Sequence, residues 1–161
     1  MHELLVRLDA ALDFGRDLLI AHPAPARRPS PATWAPREVV GHLVDSAVHN
    51  LVRLTEAPAH AGGEEPYPVR GYRQDHLVEV NDYRHVDSAE LLTLRRALNA
   101  RIAAVLERLS PAELRAPAEL PDGSRVDVRA LAEDYVAHLE HHVLQLRARG
   151  RTAGPGIPPG P

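Results

Sequence analysis

His138 and His142 stand one helical turn apart on a stretch that repeats its apolar residues at helical spacing, so they can present two imidazoles to one metal ion. Val128, Leu131, Tyr135, Leu139, His142 and Leu146 recur at steps of three and four and define one face of an amphipathic helix. At roughly 100° per residue, His142 lies about 40° from the centre of that face, His138 about 80° away at its margin and His141 about 140° away. His138 and His142 therefore point toward a common interior spot, and His141 toward solvent. Spacing alone carries little, because a chain with ten histidines contains about 0.6 such pairs by chance. Position carries more: an apolar face gains nothing from two imidazoles unless hydrogen bonds or a metal satisfy their ring nitrogens.

Composition narrows the chemistry. The 161 residues are 44% hydrophobic, enough for one domain with a real core. A net charge of −3 and interleaved acids argue against nucleic-acid binding. Cysteine is absent, which excludes disulfides, a cysteine nucleophile and thiolate ligation by the chain itself. Any metal must be held by His, Asp or Glu. The charged N-terminal stretch Met1–Asp9 reads as neither signal peptide nor membrane span, giving the expectation of a soluble, cytoplasmic protein.

The elements that must position the histidines read as four long helices. The first covers residues 3 to 21 and stops at Pro23; a proline-rich loop follows to Thr33. The second begins near Pro36, with Glu38 supplying half of a capping box, and runs to about Ala57. His42 and His49 fall on nearly the same flank of it, seven residues apart, and periodicity does not choose between them. A long irregular connection, Pro58 to Arg84, holds a short helix over Tyr72 to Tyr83. The third main helix opens on Asp87-Ser88-Ala89-Glu90, a capping box flanked by the Val86/Leu91 staple, and ends at Ser110-Pro111. Pro121-Asp122-Gly123-Ser124 is a tight reversal, and Asp127 caps the last helix, which runs to about Arg149. The expected architecture is an all-α four-helix bundle over residues 1–149 with a long crossover between helices two and three, followed by a flexible Gly/Pro-rich tail over 150–161.

Taken together, Trp34-Ala35-Pro36-Arg37-Glu38-Val39-Val40-Gly41-His42-Leu43-Val44-Asp45, the Leu109–Leu114 turn, Asp122-Gly123 and Asp134-Tyr135-Val136-Ala137-His138-Leu139-Glu140-His141-His142 resemble the DinB-like metal-binding four-helix bundles. The likeness is to the branch of thiol S-transferases that includes the bacillithiol transferases, and it covers about residues 1 to 149. It implies a divalent ion, nickel or zinc, held by His42, His138 and His142, since His42 rather than His49 occupies the family's Trp-preceded His-Leu position. It also implies a crossover between helices two and three and pairing into homodimers. One departure is that the segment Gln74–Tyr83 lacks the tryptophan that the family often carries there.

Three neutral imidazoles leave an open coordination position, as a catalytic site requires. A low-molecular-weight thiol cosubstrate, bound as thiolate, would attack an electrophilic small molecule; hydroxide at the same three-His site would make a hydrolase. A non-catalytic bundle that binds a small ligand or partner is the third reading. Asp45, one turn beyond His42, and Asp134, one turn before His138, are placed to orient neighbouring rings from a second shell. Asn50 and Tyr135 face inward as candidate substrate-binding residues.

Overall fold

The computed structural model describes residues 1–152, with side chains to Ala148. Five α-helices form: α1 (His2–Ile20), α2 (Pro36–Glu56), the short α3 (Gln74–Val80), α4 (Ser88–Arg108) and α5 (Val128–Thr152). The four long ones make the expected bundle, and α1, α4, α2 and α5 follow one another around it. Leu4, Leu8, Ala11, Gly15 and Leu19, at steps of three and four, turn one stripe of α1 inward. Helix α2 packs against α4, α5 and α3 and buries residues around much of its circumference, among them His42, Asp45, Ser46 and Asn50.

Two core clusters reveal the directions of the helices. The starts of α2 and α4 share one cluster, where Val39 and Val40 meet Leu91, with Leu19 and Leu146 from the ends of α1 and α5. The starts of α1 and α5 share the other, where Leu4 and Leu8 meet Leu131, with Leu54 and Leu106 from the ends of α2 and α4. Neighbours α2 and α4 thus run parallel, as do α1 and α5. A chain cannot join two parallel neighbours by a tight hairpin, so residues 57–87 must travel back the length of the bundle. This is the physical origin of the long crossover. Helices α2 and α4 are not hairpin partners but parallel neighbours, bonded at their starts where Arg37 Nε donates to Ser88 Oγ at 3.0 Å.

Capping follows the sequence closely. Glu38 Oε2 accepts from the Ala35 N–H at 2.7 Å, Asp87 Oδ1 from the Ala89 N–H at 2.8 Å, and Asp127 Oδ1 from the Ala130 N–H at 2.8 Å. A small sheet was not foreseen. Strand β1 (Tyr67–Pro68) pairs in parallel with β2 (Pro117–Glu119), which pairs antiparallel with β3 (Arg125–Asp127). The expected reversal at Pro121–Ser124 is the turn of the β2/β3 hairpin, with Gly123 at φ +83°. Strands of two and three residues are too short to show an alternating pattern. Helix α5 continues to Thr152, beyond the stop expected before Gly150, and residues 153–161 of the expected tail lie outside the described residues. Among the described residues no helix is long and apolar enough to cross a membrane.

Candidate metal centre

The facing sides of α2 and α5 bring three histidines together. His42 Nε2 lies 3.1 Å from His138 Nε2, which lies 3.0 Å from His142 Nε2. All three donor atoms fall within 4.8 Å of one another. His42 is fully buried, and His138 and His142 are half-buried. His141 is exposed, and His49 lies apart, stacked on Tyr72 with ring centroids 4.1 Å apart.

Two of these rings, His42 and His138, are held as neutral bases. Burial is the main cause that pushes His42 down to about 3, with the neighbouring His142 and His138 adding to it. Burial also lowers His138, against the opposing charge of Asp134. A neutral imidazole nitrogen offers either one proton or one lone pair. His138 Nε2, placed between two other Nε2 atoms, therefore cannot satisfy both of them by hydrogen bonding. A divalent ion can, because metal–imidazole bonds of about 2.0–2.1 Å put two ligating nitrogens of one ion about 3 Å apart. The donor set fits a divalent metal that accepts imidazole.

The surroundings orient the rings in different ways. Ser46 Oγ lies 3.3 Å from His138 Nδ1, and Gln145 Oε1 lies 3.1 Å from His142 Nδ1. His42 Nδ1 is buried without a hydrogen-bond partner among the described residues, so packing fixes that ring. Trp34, just before α2, stands against it with ring centroids 5.0 Å apart, and Tyr72, from the crossover, lies 6.5 Å away on centroids. Arg53 stacks its guanidinium over Tyr72 at 5.9 Å.

The structure separates the other expected site residues. Asp45 does not turn to a metal-site ring: it accepts from Tyr83 Oη at 2.6 Å and Asn81 Nδ2 at 3.2 Å. Its charge reaches His49 instead. Asp134 is exposed and acts on His138 through its field. Tyr135 is buried and donates to Asn99 Oδ1 at 2.7 Å, which commits its hydroxyl to the core rather than to a ligand. Asn50 is buried one turn from Ser46 and donates to the Ser46 carbonyl at 2.9 Å.

Ser46, Gln145, Trp34 and Tyr72 escaped the sequence reading as site residues. Ser46 and Gln145 had a signal, since each is placed one turn or less from an expected ligand on the same helix. Tyr72 had none, because only the path of the crossover brings it to His42.

Comparison with known proteins agrees with this architecture. The profile of the DinB superfamily matches residues 23–146. A Bacillus licheniformis protein named as a candidate metal-dependent hydrolase is 29% identical over 122 residues, covering 75% of this chain and 67% of that protein. Bacillus subtilis YfiT, named likewise, is 27% identical over 75% of this chain and 66% of its own length. The chain thus spans about two thirds of the length of these curated relatives. The solved structure of YfiT, described as a four-helix bundle of unusual topology, superposes with a TM-score of 0.81 over 96% of this chain and 88% of that one, at 22% identity. A mycothiol-dependent maleylpyruvate isomerase superposes with a TM-score of 0.69 over 90% of this chain and 60% of that one, at 14% identity. The profile match spans both faces of the histidine cluster and most of the sequence, and the chain belongs to the DinB superfamily.

Proposed function

We propose that this chain is a divalent-metal-dependent enzyme of thiol S-transferase type, with nickel or zinc held by His42, His138 and His142. The observation that carries the reading is the meeting of three imidazole Nε2 atoms at 3.0 and 3.1 Å separations, with His42 and His138 kept neutral by their burial. A divalent ion held there supplies Lewis acidity, lowering the pKa of a thiol or water that it ligates.

The chain's own residues supply the rest. With His138 ligating through Nε2, its Nδ1 carries the proton, and Ser46 Oγ at 3.3 Å is placed to accept it and steady the ring. Trp34 stands against His42 and gives an electrophile an aromatic surface to rest on, while Tyr72, stacked on His49, closes the other side. Because the chain has no cysteine, the nucleophilic sulfur arrives with a low-molecular-weight thiol. Support also comes from a neighbour of the same fold that is named as mycothiol-dependent.

The names of the curated relatives favour a second reading, a hydrolase that uses water at the same three histidines. One experiment separates the two. Protein purified without a histidine tag is stripped of metal, reloaded with nickel or zinc, and offered an alkylating electrophile with each of several low-molecular-weight thiols, in parallel with ester and amide substrates. Thiol-dependent consumption of the electrophile that disappears on chelation and returns with metal is the expected result. Ester or amide cleavage without thiol assigns the hydrolase, and turnover indifferent to chelation overturns both.

A further inference from the structure

Across the bundle from the histidines, between α1 and α4, is a cavity of about 280 Å³ whose lining includes Leu5, Leu8, Leu12 and Ala103. That volume is near the small end of the range for ligand pockets. Arg95 also lines it, and Arg95 is 1% exposed. The guanidinium donates through Nη2 to the Ala11 carbonyl at 3.0 Å. Its Nε is buried without a partner, and no carboxylate pairs with it among the described residues. Burial accordingly lowers its pKa to about 10.

A buried cation that bonds a carbonyl and has only the weak favourable field of Tyr135 beside it is poorly compensated, and an apolar side chain of similar volume would fill the space at less cost. Helix α1 is also shaped around this group. It carries Gly15, where an added Cβ would stand 2.6 Å from Arg95 Nη1. The nearby amide is already committed, since Asn99 donates to the Arg95 carbonyl at 2.8 Å and accepts from Tyr135. The lining thus combines apolar side chains with one fully buried cation that no carboxylate pairs among the described residues.

We propose that this cavity is a second ligand site, which takes a small monoanionic carboxylate with an apolar body and holds its charge on Arg95. Asp9 and Asp13 also line the cavity, Asp13 tied to Arg16 at 3.1 Å, and they disfavour ligands of higher negative charge. Arg96 lines it too and draws an anion inward. The site is independent of the metal and of the activity proposed above.

Octanoate is the probe, titrated calorimetrically into the full chain and compared with octan-1-ol and octylammonium. Saturable binding of octanoate at one site, about tenfold or more tighter than either analogue, is expected. Arg95→Gln should weaken it at least about tenfold, as should Ala100→Trp, which fills the cavity from an exposed position. The Ala100 variant decides the matter if the Arg95 variant fails to fold. Wild-type protein that does not bind octanoate, or variants that bind it as wild type does, overturn the proposal. So does binding that survives Ala100→Trp and vanishes in His142→Ala, which would place the carboxylate at the histidines.

Discussion

His138 Nε2 and His142 Nε2 lie 3.0 Å apart on one face of α5, while His141, between them in sequence, is exposed and touches Gln145 Nε2 at 2.7 Å. One helix thus carries two converging imidazoles and an internal control. His142→Ala is expected to remove nearly all metal from tag-free protein, and His141→Ala to leave the metal content unchanged. Mass-spectrometric metal analysis of the three proteins reads the difference. Stoichiometric metal in His142→Ala would end the assignment of that ligand.

The contact between Ser46 Oγ and His138 Nδ1, at 3.3 Å, has a separable effect. Losing an outer partner of a ligating histidine lowers metal affinity by about 10–100-fold. Ser46→Ala removes that acceptor without disturbing the apolar core around it. Competition with a chromophoric chelator should show the weaker binding, while the thermal midpoint of the metal-free protein moves little. An unchanged chelator titration would mean that Ser46 has no part in orienting the ring.

Much of this arrangement is legible in the sequence because it depends on local rules. Asp87 and Asp127 announce their helices through short-range capping, and the inward turn of His138 and His142 follows from helical periodicity alone. The pairing of α2 with α4 as parallel neighbours is not local, and neither is the arrival of Tyr72 beside His42. Asp45 shows the same limit in reverse. Its spacing from His42 suggests contact with a ring, but Tyr83 and Asn81, nearly forty residues on, take its carboxylate instead. The strands of the small sheet are hidden for another reason: β1 is held by pairing with a segment about fifty residues on, and all three are too short for their own pattern to speak.

Gly41 sits directly before His42 in the interior of α2, where glycine is otherwise a poor choice by about 1 kcal/mol. The structure supplies the reason. A Cβ at this position would lie 2.0 Å from Tyr83 Cγ, so the glycine lets the tyrosine ring pack directly against the helix and reach Asp45. Gly41→Ala should therefore destabilise the fold by about 1–3 kcal/mol, the usual penalty of overpacking, despite the better helix propensity of alanine. Urea denaturation measures it. A more stable variant would show that the ring moves aside freely.

Glu38 and Arg28 provide the pH dependence. Burial alone would push the Glu38 carboxyl up, but the Arg28 guanidinium, with an Nη2 to Oε1 contact of 2.6 Å, and the Ala35 N–H together hold it below its ordinary 4.5. A carboxyl held low in the folded state takes up its proton less readily there than in the unfolded chain. Its contribution to stability is therefore complete above pH 4.5 and is lost as the pH falls below that value. Glu38→Gln should lower stability by about 1–2 kcal/mol at neutral pH, a range that allows for the solvent exposure of Arg28. The gap between wild type and variant should narrow as the pH is lowered toward 3, where both side chains are closer to neutral. Urea midpoints taken at both ends of this range are the measurement. A gap that does not shrink would mean that the charge of Glu38 is not what anchors the start of α2, the helix that carries His42.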